Sequence, residues 1–214
     1  MTSQMDLLVT TYYTGNMSLP RTHWAADLES KPAPDPLSRI QALVNTVELP
    51  GGPDRLADPA EAQAWLVTSG LLAPDTELRS ADLNLVRGVR EGLRAMLVHN
   101  AGGPAPSANA FAPLREVATD GTARADFDER GQVMLSATGD SVPARLVELL
   151  LIIRDAQRDG TWARLKACGN DECQWAFYDR SRNHGGTWCE MSSCGNKLKN
   201  REFRARKRGV QSSR

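Results

Sequence analysis

The chain has 214 residues, 41% of them hydrophobic and only 6% aromatic, which suits one or two domains with a sizeable core and argues against a large aromatic groove. Its formal net charge of zero hides a division: residues 162–214 hold 12 Lys and Arg against 5 Asp and Glu, and residues 1–161 hold 14 against 21. A basic module on an acidic body favours an anionic partner, above all nucleic acid, with a solvated tail or a protein-docking helix as the competing readings.

Residues 1–36 mix Thr, Tyr and Gly with the proline-rich KPAPDP and read as a peripheral N-terminal arm. MTSQMDLLVT lacks the charged start and long apolar run of a secretory signal, and the longest apolar stretch, Leu146–Ile153, contains Glu148 and is far too short to span a bilayer. A cytoplasmic protein with no membrane partner is expected, where structural disulfides are uncommon.

From Leu37 the spacing of Leu37, Ile40, Val44 and Val47 predicts a helix, broken by ELPGGPDRLADP. Asp58 before Pro59 predicts an N-cap with proline at the first helical position, and Gly70 a stop. A helix over Glu77–Val98 follows, with Leu85, Val89, Leu93 and Leu97 on its core face and Arg87, Arg90 and Arg94 expected in solvent. NAGGPAPSANA reads as a loop. Alternation on both sides of ERGQ predicts a hairpin, and SVPARLVELLLIIRDAQRDG a helix ending near Gly160. The expected fold is thus an α-rich domain over 37–160 with a small β-hairpin.

This body carries no phosphate loop, dinucleotide fingerprint, repeat or paired acid–base spacing, and His23, His99 and His184 are isolated. The expectation is a protein that is not an enzyme, the alternative being an unrecognised active site in the N-terminal domain. Asn45 and Thr46, polar within an apolar helix, and Arg55 are candidate contacts for a small-molecule effector; hydrogen bonds to backbone and a salt bridge are the competing readings.

All four cysteines fall in CGNDEC and CEMSSC, a C-x4-C-x15-C-x4-C pattern. Two close pairs across a hairpin-sized insert supply the thiolates of one tetrahedral zinc ion: Cys168, Cys173, Cys189 and Cys194. Four cysteines fill the shell, so a catalytic zinc water is not expected; disulfides and a four-iron cluster remain alternatives, the latter because thiolates alone do not exclude it. Trp175, Phe177, Tyr178 and Trp188 are placed to shelter the metal, and a module this small needs such a staple.

Beyond the second pair, Ser192 or Ser193 is the expected cap of a helix beginning around Cys194. Lys197, Arg201, Arg204 and Arg208 form a basic stripe along it, widened by Lys199, Arg206 and Lys207. These bases, with Arg182 from the preceding loop, are the expected phosphate contacts, and Asn196, Lys197 or Asn200 would read bases from a major groove.

The string from Cys168 to Arg206 resembles the CGNR-type zinc finger, through Cys168, Cys173, the Phe177–Asp179–Ser181 segment, Trp188–Cys189–Met191 and Cys194–Gly195–Asn196. Lys197 stands where the family commonly has arginine, keeping the charge and losing the planar fork. GGTW also lacks the arginines often found before the tryptophan. Leu43–Leu72 resembles the domain that precedes this finger in stress-responsive bacterial transcription regulators. The resemblance implies DNA binding, one structural zinc per chain and a regulatory or sensory body. The expected architecture adds a treble-clef-like or zinc-ribbon-like module over 161–210, with a terminal basic helix and a tail over 211–214. A homodimer is expected, because DNA readers often pair two modules at fixed spacing. The alternative is a zinc-stabilised protein-interaction module.

Overall fold

The computed structural model describes residues 29–196. Helix α1 (Leu37–Val44) buries Leu37, Ile40, Leu43 and Val44, as the spacing predicts, but ends at Asn45. Val47 has left the helix and pairs through backbone with Asp54 across the PGGP turn. Helix α2 (Pro59–Thr68) starts as expected: Asp58 accepts hydrogen bonds from the Ala60 and Glu61 amides at 2.9 and 3.0 Å, satisfying two donors that the helix leaves open.

Helix α3 (Ser80–Asn100) is the central element and begins three residues later than predicted. Arg79 takes the cap position in extended conformation, its guanidinium clasping Asp82 at 2.7 and 2.9 Å. Leu85, Val89, Leu93 and Leu97 are buried as expected. The arginines expected in solvent are not there. Arg90 and Arg94 are buried and Arg87 is partly so, because the end of α1 and the loop after it offer carbonyl and carboxylate acceptors to their guanidiniums. Arg90 grips Asp54 at 2.6 and 3.0 Å and reaches Thr46 Oγ1 at 3.2 Å. Arg94 donates to the Val44 carbonyl at 2.7 Å, and Arg87 to the carbonyls of Leu56 and Ala57.

Helix α4 (Ala112–Asp120), which periodicity did not disclose, packs between α3 and α5. It is followed by the expected hairpin, β1 (Thr122–Phe127) with β2 (Val133–Thr138), antiparallel in register Thr122↔Thr138 to Phe127↔Val133. Helix α5 (Val142–Asp159) is capped by Ser141 and closed by Gly160 at φ 80°, a left-handed position that suits glycine.

A short 3-10 turn, Trp162–Arg164, leads into a second antiparallel hairpin, β3 (Leu165–Ala167) with β4 (Ala176–Tyr178). Its alternation faces two cores at once. Leu165, Ala167, Ala176 and Tyr178 join the body's core, whereas Phe177 points to the cysteines. The finger is therefore built onto the body.

Hydrogen bonds close this seam. Asn45 meets the backbone of Ala176 as a third strand would: its Nδ2 donates to the carbonyl at 3.0 Å and its Oδ1 accepts from the amide at 2.8 Å. Gln41 Nε2 donates to the same carbonyl at 3.1 Å, and Arg94 Nη1 to the Gln174 carbonyl at 3.1 Å. Residues 29–33, read from sequence as part of a peripheral arm, instead strap the two parts together. The Lys31 carbonyl accepts from the Tyr178 amide at 3.0 Å, and Glu29 accepts from Asn45 at 2.5 Å and from Trp175 Nε1 at 3.0 Å.

Replacing Asn45 by Ala orphans the buried Ala176 amide, while Gln41 still serves the carbonyl. The expected cost is about 2–3 kcal/mol of unfolding free energy, read as a lower urea midpoint at unchanged slope.

Candidate metal centre

The strands that flank the first cysteine pair hold it as a knuckle. Cys168 follows β3 directly, and its amide donates to the Trp175 carbonyl at 2.9 Å. Between the strands Asn170 folds the turn: its Oδ1 accepts from the Glu172 amide at 3.3 Å and its carbonyl from the Cys173 amide at 2.7 Å. The second pair comes from the far end of the loop after β4. Cys189 precedes a π-helical turn, Met191–Gly195, and Cys194 lies within it. A knuckle in a short hairpin facing a helical turn is a treble-clef-like arrangement.

The four sulfurs lie within 4.8 Å of one another, and two of the edges, Cys173–Cys189 and Cys189–Cys194, are 3.8 Å. Four thiolates at about 2.3 Å from one zinc stand about 3.8 Å apart at the corners of a tetrahedron. The donor set and its spacing fit a single zinc ion; a four-iron cube needs its sulfurs spread wider than around one ion, and all four cysteines are free of disulfides. Cys168, Cys189 and Cys194 are buried and Cys173 is partly so. Phe177, Trp175 and Trp188 pack against them as expected, while Tyr178 turns away into the body. His184 is exposed and stands outside the cluster.

Crowded thiols cannot all ionise without a cation. Hydrogen bonds from the Cys173 and Cys189 thiols push the Cys168 pKa down. The same sharing with Cys168 pushes Cys173 and Cys189 up. A bound divalent ion removes that conflict by neutralising the thiolates, and its uptake releases protons. Zinc here supplies folding energy and orientation, with its coordination shell filled by protein. Asn170 Nδ2, 3.8 Å from Cys194 Sγ, is a buried donor to a ligand sulfur and links the knuckle to the second pair.

The loop between the pairs is held by a buried ion pair that the sequence reading did not single out. Lys166 Nζ lies 2.8 Å from Asp179 Oδ2 and also donates to the His184 carbonyl. Asp179 in turn accepts from the amides of Ser181 and Gly186 at 3.0 and 2.8 Å. Only glycine permits this approach, since a Cβ at Gly186 would meet Asp179 Oδ1 at 2.6 Å. Burial opposes charge on Asp179, but the hydrogen bonds from Lys166, Ser181 and the two amides prevail and hold its carboxyl well below the usual range.

Two family models match the chain. One, described as "CGNR zinc finger", covers residues 164–207, and the other, described as "Putative stress-induced transcription regulator" (ABATE), covers residues 38–158. The latter spans more than half of the 214 residues. The chain belongs to the ABATE family. No curated protein matches it. The two matched segments are a regulator domain and a zinc finger, in the order that the sequence resemblance implies. Among the described residues no helix is long and apolar enough to cross a membrane.

The remaining site residues expected from sequence fall in three places. Asn45, Thr46 and Arg55 line one cavity of about 180 Å³ with Glu29, Gln41 and Trp65. Both amide atoms of Asn45 serve the finger seam, and the Thr46 hydroxyl donates to the Leu43 carbonyl at 2.8 Å. Arg182 is exposed on the loop organised by Asp179, and Asn196 is exposed after the π-helical turn. Lys197, Lys199, Asn200, Arg201, Arg204, Arg206, Lys207 and Arg208 lie outside the described residues. The helical turn itself corrects the expected cap. It starts at Met191, before either serine, with Glu190 at the cap position; Ser193 Oγ instead donates to Glu190 Oε2 at 3.0 Å.

Two outcomes follow for this centre. Asn170→Ala should keep one zinc per chain but lower its affinity about 10- to 100-fold in a chelator competition. Asp179→Asn should cost about 3–5 kcal/mol in denaturant unfolding, because it leaves the Lys166 ammonium buried without its partner. The Asp179 contribution has a depressed folded pKa, so it is complete above the unfolded value of about 3.9 and is lost as pH falls through the folded value. The gap between wild type and Asp179→Asn should accordingly narrow in acid.

Proposed function

We propose that this protein is a DNA-binding transcription regulator in which zinc sets the starting point of a basic recognition segment. The observation that carries the reading is the position of Cys194. It is at once a buried member of the zinc site and part of the turn that runs through Asn196 toward Lys197. Seven cations follow within residues 197–208. A filled thiolate shell has no catalytic opening but gives a small module a rigid base for such a segment. The regulator family match supports the same assignment.

In this reading Lys197, Lys199, Arg201, Arg204, Arg206, Lys207 and Arg208 neutralise phosphates, joined by Arg182 from the Asp179 loop. Asn196 and Asn200 supply the amides suited to adenine edges. The ABATE body regulates by way of its attachment to the finger. A small effector entering the cavity at Asn45, Thr46 and Arg55 would act on the residue that clamps Ala176.

Selection from a random DNA library with zinc-loaded protein should enrich a sequence class. Arg201→Ala and Arg204→Ala should each weaken binding to all selected DNAs and reduce the slope of log affinity against log salt by about 1. A changed sequence preference would instead assign the residue to base readout. No enrichment, with nonspecific binding unaltered in both variants, rejects the segment as a DNA reader and leaves the protein-interaction role.

A further inference from the structure

Among the described residues two that are not glycine adopt the left-handed backbone that favours glycine, Gln174 at φ 47° and His184 at φ 50°. Both stand in the metal module, Gln174 directly after the ligand Cys173 and His184 on the loop that leads to Cys189. In each case a buried cation holds the carbonyl. Lys166, from β3, donates to the His184 carbonyl, and Arg94, from α3, donates to the Gln174 carbonyl at 3.1 Å. The side chains of Lys166 and Arg94 are only 7% and 4% exposed. The first cation belongs to the finger itself. The second is supplied by the regulator body.

A residue with a side chain resists φ 47°, so the turn at Gln174 persists where its surroundings hold it. Two backbone hydrogen bonds do so: the Gln174 amide donates to the Asn170 carbonyl at 3.0 Å, and the Gln174 carbonyl accepts from Arg94. The peptide group that Arg94 grips by its oxygen presents its other end, the Trp175 amide, to the Cys173 sulfur as a donor. Rotation of that one group would withdraw the donor and swing the chain that carries Cys173. Arg94 is itself fixed, by the Val44 carbonyl at 2.7 Å and by Glu91 Oε2 at 3.0 Å. A planar guanidinium can span two carbonyls in this way, and a lysine ammonium lacks that fork.

We infer that Arg94 is a positioning residue of the zinc site, through which the regulator body sets how tightly the finger holds its metal. It acts on Cys173 by way of the Gln174–Trp175 peptide group. Its other carbonyl belongs to Val44, the last residue of α1, so one guanidinium holds both the end of α1 and the knuckle. A shift at the end of α1 therefore changes zinc affinity, and by reciprocity zinc occupancy biases the end of α1. The inference does not depend on DNA binding and is tested without DNA.

The test is a chelator competition for zinc with the full-length chain, its helices followed by circular dichroism. Arg94→Lys keeps the buried charge but loses the fork, and should weaken zinc binding about 10- to 100-fold. Adding Gln174→Gly to that variant should recover most of the loss, because glycine takes the left-handed conformation unaided. A merely structural role does not predict recovery, since glycine restores none of the lost hydrogen bonds. Gln174→Gly alone should change the affinity by no more than about fivefold. Gln174→Val should weaken it about tenfold or more, since a β-branched residue resists positive φ most. Unchanged affinity in Arg94→Lys, or no recovery in the double variant, overturns the inference. If Arg94→Lys does not fold, the two Gln174 variants decide, because they leave the body untouched: equal affinities overturn the inference, and a tenfold spread supports it.

Discussion

The amide of Ala176 is the constraint around which the molecule is organised. It lies on a strand of three residues whose outer edge faces a helix, and a buried amide needs an acceptor. Asn45 supplies that acceptor together with a donor for the carbonyl, because a primary amide has the same donor–acceptor pair as a peptide unit. Through this pairing the finger's hairpin is continued into α1. Arg94 repeats the link at Gln174, and Glu29 ties both sides to the preceding strap. The metal site and the helical body consequently share one packed boundary.

On the finger's side of that boundary zinc and the Lys166–Asp179 pair divide the work. The metal joins the knuckle to the turn at Cys194, whereas the ion pair shapes the loop between them by gathering the amides of Ser181 and Gly186. Each is buried charge compensated by a specific partner, the arrangement in which removing one member is costly. Together they turn a short, core-poor segment into a rigid mount, and the body supplies the hydrophobic floor through Leu165, Ala167, Ala176 and Tyr178.

Much of this was legible in the chain, for physical reasons that differ by element. The zinc ligands could be read because four thiols in two close pairs across a hairpin-sized insert are the pattern that one tetrahedral ion requires. The start of α2 could be read because Asp58 before Pro59 is a local signal acting within three residues. The burial of Arg90 and Arg94 could not, because a polar face on a helix pattern looks the same in water or against the carbonyl end of another helix. Only the fold brings Val44, Asp54 and Gln174 to those guanidiniums. Asn45 was visible as an anomaly, a polar residue amid apolar ones, but its partner lies 131 positions away and nothing local names it. The cap of the Met191–Gly195 turn was misplaced because serine before a helical run is the commoner start, whereas here the turn opens after Glu190.

The claim that body and finger are one cooperative structure is tested most directly by unfolding the cobalt-substituted protein in denaturant with two probes. Far-ultraviolet circular dichroism follows the helices, and the thiolate-to-cobalt absorption follows the metal centre. A single transition with coincident midpoints is the predicted result. Loss of the cobalt signal at a denaturant concentration that leaves the helical signal intact would contradict it, and would make the finger a separately folding module on a passive linker.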